Sequence, residues 1–314
     1  MGMMAACFEL VGQREWGLTE LYRKAGKCAM MAHVRYQDTR RHLMHRTVLQ
    51  SGRARIAAAF LMLGSSAAFA ASGTLHSFRT YSAQSPRTAL VRDAAGNLYG
   101  STIAGGGDCN IPGGCGTVIK LISNGAGDYT FSILYDFKGW PSDGTAPDST
   151  LILDTSGNLF GTTTSGGPSD GGVVFELSPG SSGAYSYQIL YSFQNYTCFV
   201  LPLGRLYMDR FGNLFGVTEE GGADCSGSVF ELSPGPSGWS EEALYSFTGG
   251  IDGRMPAGGL IADSAGNFYG SATEGGANGT GVIYKLAPPR GTPGRKRFST
   301  LSQVAATERL PSAN

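Results

Sequence analysis

The chain has 314 residues, a formal net charge of zero, 48 glycines and only 15% charged residues. Glycine is about twice its usual share and charge well below its usual share, which excludes a helical bundle, a coiled coil and a disordered polyelectrolyte. With 11% aromatic residues, the class that remains is a turn-rich β protein long enough for one large domain.

Residues 1–43 bear no relation to the rest of the chain and read as a doubtful N-terminal extension. Residues 44–70 read as a signal peptide. Arg46, Arg53 and Arg55 precede the apolar run Ile56–Phe69, and Ala68-Phe69-Ala70 supplies an A-x-A exit. The run is shorter than the roughly 20 residues that span a bilayer. A short buried helix is the alternative. Export predicts a secreted, periplasmic or cell-envelope protein that begins near Ala71, with no membrane span in the mature chain. Residues 1–70 hold ten Lys/Arg and four Asp/Glu, which leaves 14 basic against 20 acidic residues. That balance speaks against a nucleic-acid partner. Three of the four histidines (His33, His42 and His45) leave with the leader, so only His76 remains. Neither a His-rich metal site nor an ordinary Ser-His-Asp triad fits such a chain.

From residue 86 onward one register recurs four times: P-x3-L-x2-D-x2-GN-x2-G-x4-GG. Its aspartates are Asp93, Asp154, Asp209 and Asp263, and its asparagines Asn97, Asn158, Asn213 and Asn267 lie 61, 55 and 54 residues apart. Each copy is followed by a GTVIKL-like block (116–121, 172–177, 227–232 and 281–286). The first three copies then carry an ILYDF- or LYSF-like block ending at Phe137, Phe193 and Phe247. Every unit therefore predicts four strands, rich in β-branched and aromatic residues and bounded by turn signals. The first pair closes on a tight D-x-x-G-N hairpin, in which Asp bonds nearby backbone and Gly and Asn tolerate positive φ.

Four antiparallel strands in about 55 residues is the size of a propeller blade. The expected fold is all-β: a β-propeller of about four four-stranded blades in residues 71–286, with units near 86–137, 147–193, 202–247 and 256–286. An open fragment of a larger propeller is the alternative. The last unit lacks an LYSF block, while Leu75-His76-Ser77-Phe78 resembles one. The N-terminal segment is expected to complete the last blade, with Phe298–Leu301 as the rival for that place. Residues 287–314 read as a loosely ordered tail.

DxxGNLYG followed by Gly-Gly, GTVIKL and LYSF resembles the GloVer tandem repeat of secreted bacterial "choice-of-anchor" proteins, over roughly residues 74–286. More loosely it is similar to the repeat of two-component-regulator sensor propellers, with Tyr or Phe here in place of Trp. The resemblance implies a propeller-like extracellular protein, and no catalytic residues are carried over from it.

Four cysteines follow the leader, and an even number in an exported chain predicts disulfides. Cys109 and Cys115 bracket one loop between second and third strands. Cys198 precedes the third unit, and Cys225 lies in that unit's loop between second and third strands. These loops open at the same end of the strands, so the preferred pairs are Cys109–Cys115 and Cys198–Cys225. A four-thiolate zinc site lacks the close CxxC pairs it needs. The repeated aspartates stand singly, which favours turn capping over calcium. The Gly-Gly pairs lack the Lys-Ser/Thr of a phosphate loop. No metal or cofactor is expected.

The tight turns leave one variable face, built from the longer loops. The candidate ligand-binding residues there are Trp140, Asp143, Tyr196, Glu220, Asp252, Arg254 and Glu274, with Phe199 and Glu219 beside them. The expected function is binding or scaffolding of an extracellular ligand, glycan or protein. The alternative is a carbohydrate hydrolase that uses loop carboxylates, with Glu220 and Glu274 as the pair.

Overall fold

The structure, a computed structural model, describes residues 73–78, 82–107, 109, 111–194, 198–288 and 301–303. All of them lie in the unit Ala71–Asn314. The expected extension 1–43, the expected signal peptide 44–70, Tyr196 and most of the tail lie outside the described residues. Those described are strands and turns, with no helix among them.

The first sheet is β1 (Val91–Arg92), β2 (Leu98–Thr102), β3 (Thr117–Ser123) and β4 (Tyr129–Asp136), paired in chain order. Then come β5 (Gly144–Thr145), β6 (Ile152–Leu153), β7 (Leu159–Thr162), β8 (Ser165–Gly166), β9 (Val173–Pro179) and β10 (Tyr185–Ser192). Here β6, β7, β9 and β10 form the second sheet, and β5 pairs with β8 as a short ladder. The third sheet is β11 (Pro202–Met208), β12 (Leu214–Thr218), β13 (Ser228–Gly235) and β14 (Gly238–Ser246). The fourth comprises β15 (Arg254–Pro256), β16 (Ile261–Ala262), β17 (Phe268–Glu274), β18 (Val282–Leu286) and β19 (Leu301–Gln303). All pairs are antiparallel. In the fourth sheet β15 and β16 both pair with β17, so its first strand is broken in two. The same break is a register shift between Leu203 and Tyr207 in the third sheet.

The outer strand of the fourth sheet corrects the expectation from sequence. β19 pairs with β18, with Leu286 opposite Leu301. The N-terminal segment instead lies against the first sheet, where His76 stacks on Phe131 at 4.1 Å. LHSF matches the repeat, but matching residues do not specify which neighbouring sheet a strand joins.

The turns follow the expected chemistry. In the second unit, Asn158 donates its backbone N–H to Asp154 Oδ1 at 2.8 Å and its side-chain amide to Oδ2 at 2.9 Å. The other three units repeat both bonds. Gly157 supplies the left-handed turn residue at φ +89°. The asparagine thus serves through its amide and not through a positive φ.

Successive sheets pack face on face in three cores. First and second share Val118, Phe137, Leu151, Phe175 and Leu177. Second and third share Ile152, Phe160, Val174, Phe193, Leu206 and Phe230. Third and fourth share Phe215, Val229, Phe247, Leu260 and Tyr284. One edge-to-face contact recurs in each: Phe137 on Phe175, Phe193 on Phe230 and Phe247 on Tyr284, at 5.2, 5.1 and 5.0 Å. Among the described residues no buried cluster joins the fourth sheet to the first.

The second-strand glycine of the repeat has a packing role invisible in the sequence. A Cβ on Gly161 would stand 2.7 Å from Phe175 Cζ and 2.9 Å from a Leu151 methyl. Gly216 makes the same seat for Phe230.

Candidate functional site

Antiparallel order puts the DxxGN turns at one end of every sheet. At the other end lie the second-to-third-strand loops and the connections between sheets. Both disulfides are at that end and have the expected pairing: Cys109–Cys115 and Cys198–Cys225, each with Cα atoms 5.7 Å apart. The connections are tied to these loops by backbone bonds, Ala146 N–H to Cys115 O at 2.9 Å and Met255 N–H to Ser226 O at 3.1 Å.

Asp143 and Asp252 are buried and saturated by the scaffold. Asp143 accepts from the Tyr135 hydroxyl at 2.8 Å, from Lys138 N–H at 2.9 Å and from Gly144 N–H at 2.7 Å. Asp252 accepts from the Tyr245 hydroxyl at 3.0 Å, from Thr248 N–H at 2.8 Å and from the Thr248 hydroxyl at 2.5 Å. Burial and the Asp252 bond push Tyr245 up to about 12. The carboxyl of Asp252 is held below its ordinary range: its bonds to Thr248 and Tyr245 outweigh the opposing effect of burial. In both units the tyrosine of the LYxF block fixes the corner that leads to the next sheet.

The remaining acids are less constrained. Arg254 Nη1 donates to Glu274 Oε2 at 2.6 Å across the β15–β17 ladder, and both side chains are exposed. Partial burial raises Glu219, and the neighbouring Glu220 and Glu274 charges raise it further. Glu219, Glu220, Glu274 and Arg254 therefore form one charged group at the long-loop end, where the third and fourth sheets meet. The sequence reading paired Glu220 with Glu274. The structure adds Glu219, whose signal was its place beside Glu220. Along the whole loop end Trp140, Phe199, Ile251 and Ile111 are exposed. Each of the three connections between sheets carries one of the first three.

A separate open groove of about 710 Å³ runs along the first strands of the second, third and fourth sheets, lined by Leu153, Arg205, Tyr207, Met208 and Ile261 among others. Among the described residues no three His, Cys, Asp or Glu side chains are placed to hold a metal ion. No helix among them is long and apolar enough to cross a membrane.

Among solved structures the chain is similar to a protein of unknown function from Dyadobacter fermentans, at 12% identity and TM-score 0.41, over 68% of this chain and 67% of that one. It is also similar to the endo-arabinase of Bacteroides thetaiotaomicron, at 12% identity and TM-score 0.32, over 70% and 74% of the two chains. No curated protein matches. The Gloeobacter/Verrucomicrobia repeat matches residues 44–284, and with the DxxGN hairpins and four-stranded sheets in register within that span, the chain belongs to this repeat family.

Proposed function

We propose that the chain is an exported binding or scaffold module, its four sheets the blades of a propeller-type array, and that its ligand meets the long-loop face. The observation that carries this reading is the unequal distribution of exposed side chains over that face. The repeated acids at its corners, Asp143 and Asp252, are consumed by hydrogen bonds. The non-repeated Trp140 and Phe199 stand exposed on the same face, Phe199 next to Val200 and Leu201, whose carbonyls accept from the Glu220 and Glu219 N–H groups. Apolar side chains left in water beside fixed charge suit a glycan face or a protein surface. The three packed cores between consecutive sheets support the blade arrangement, and the two disulfides are compatible with an oxidising compartment.

A second reading is favoured by one observation. Glu219 is raised by partial burial and by the neighbouring Glu220 and Glu274 charges, while Glu274 is paired with Arg254. Two carboxyls in unlike surroundings, one partly buried and one in an ion pair, are the kind of pair that glycoside hydrolysis uses.

A glycan and peptide binding array run beside a hydrolase screen separates the two. The module reading expects binding without turnover, lost with Trp140→Ala. Turnover abolished by Glu219→Gln or Glu274→Gln would establish the hydrolase instead. Binding that survives Trp140→Ala and Phe199→Ala would remove this face from consideration.

A further inference from the structure

Each repeat presents one apolar surface to the sheet before it and another to the sheet after it. The forward-facing positions are Val91, Ile152 and Tyr207 on the first strands, with Val118, Val174 and Val229 on the third strands. All six pack into the core shared with the following sheet. Their equivalents in the fourth sheet are Ile261 and Ile283, which are 69% and 63% exposed where Ile152 and Val174 are 7% and 0%. The backward-facing positions on the first strands are Leu151, Leu206 and Leu260, all buried. Their equivalent in the first sheet, Leu90, is exposed. A third pairing tells the same story. Pro147, Pro202 and Pro256 lie against Gly116, Gly172 and Gly227 of the preceding sheet. Pro86 is exposed, with no sheet before it among the described residues, and Gly281 has no proline among its near described neighbours.

The first sheet also carries an imprint of a missing predecessor. Tyr135 of the first sheet stacks on Tyr187 of the second at 4.0 Å and 10°, and Phe137 meets the same ring edge-on at 5.9 Å and 89°. His76 and Phe78 treat Phe131 identically, at 4.1 Å and 7° and at 5.7 Å and 87°. Leu75–Phe78 thus occupies the place where a sheet ahead of the first would put its outermost strand.

We propose that two copies of the chain associate head to tail, the fourth sheet of each seating on the first sheet of the other. This rests on the propeller-type arrangement proposed above. The two end faces are the two halves of an interface the chain already makes three times, so each is complementary to the other. A second copy supplies both halves at once. Two copies give eight sheets, within the four to eight blades of known propellers, and three copies exceed it. In the pair, Leu75–Phe78 of one copy lies along β18 of the other, where β19 lies in the single chain.

Sedimentation velocity on the full chain tests this, and the expected species has the mass of two copies. Ile261→Lys with Ile283→Lys should convert it to a monomer with unchanged circular dichroism, because neither side chain is buried in the single chain; Leu90→Lys should do the same from the opposite face. A wild-type monomer at tens of micromolar, open-ended oligomers, or a dimer that survives these substitutions would overturn the proposal. Leu90→Cys with Ile261→Cys adds an independent check. A cross-linked dimer on a non-reducing gel supports the pairing, and a cross-link within one chain shows that the array closes on itself. X-ray scattering from the monomeric variant tests the radial arrangement separately: a curved arc keeps that reading even where association fails, and a flat stack of sheets removes it.

Discussion

The same glycine recurs in the second strand of every unit, yet its replacement should not cost the same everywhere. In Gly161→Ala the new methyl would meet the Phe175 ring tip at 2.7 Å and a Leu151 methyl at 2.9 Å. Both partners are fully buried in the core between the first and second sheets. Neither can retreat without displacing its own neighbours, so the substitution is overpacking, worth about 1–3 kcal/mol. Gly216→Ala meets Phe230 at 2.5 Å and Leu206 at 2.8 Å, in the next core, and belongs to the same class. In Gly100→Ala the close atom is the Leu90 Cδ2 at 2.6 Å, and Ile119 is a full 4.0 Å away. Leu90 is exposed and free to turn aside. The expected cost is under about 1 kcal/mol, since a rotamer change replaces core strain. For a unit of this size a loss of 2 kcal/mol lowers Tm by roughly 4–8 °C. Differential scanning calorimetry on the three single variants decides the matter. Equal losses at all three positions, or none at Gly161, would refute the claim that this glycine exists to seat the third-strand ring.

Three further outcomes are expected. Ala146 has φ +53°, so Ala146→Gly should stabilise by about 0.5–1 kcal/mol in urea unfolding, the reverse of the usual sign, because relief of the left-handed backbone outweighs glycine's entropy; destabilisation would show the position unstrained. Replacing Cys198 and Cys225 by Ser opens a loop of sequence separation 27 and should cost roughly 3.5 kcal/mol, against about 2 for Cys109 and Cys115, whose separation is 6; the comparison is read from the two urea midpoints, and a larger loss at the short loop contradicts it. In the last turn the Asn267 amide and backbone N–H hold Asp263 down, from 3.8 to about 2, assisted by Tyr269 and the Ala265 N–H. A folded value below the unfolded one means its stabilisation is complete above about pH 4 and is lost as pH falls through 2. An NMR carboxyl titration should find that midpoint near 2, and Asn267→Ala should raise it; a midpoint near 3.8 in the parent removes the turn's electrostatic role.

What was legible in the sequence is what is local. The D-x-x-G-N hairpin is settled within five residues by bonds from Asn158 to Asp154, so its register shows directly in the letters. The disulfide pairing was legible for a topological reason: antiparallel strands send alternate loops to the same end, which brings Cys198 to Cys225. The seat at Gly161 was not, because its reason is a ring on another strand of the sheet. The outer strand of the fourth sheet was misread because LHSF carries the repeat's pattern, whereas Leu301–Gln303, the residues that pair with β18, do not.

The candidate site divides along the same line. Asp143 and Asp252 drew notice as loop acids, but each is claimed by the hydroxyl of the LYxF tyrosine, Tyr135 and Tyr245, seven or eight residues back. A residue that fixes the same corner in two units serves the fold. On the proposed binding reading, specificity sits where the units differ. At the end of the second strand the first two units place Ile103-Ala104 and Thr164-Ser165, and the third and fourth place Glu219-Glu220 and Thr273-Glu274. Among the described residues, it is in the latter pair of sheets that carboxylates gather closely enough for one to raise another. A charge cluster confined to one junction of a near-regular array gives the long-loop face a direction, strongest between the third and fourth sheets. Trp140 lies at the first junction and Phe199 at the second, so on the proposed binding reading the face runs from apolar contact toward charge.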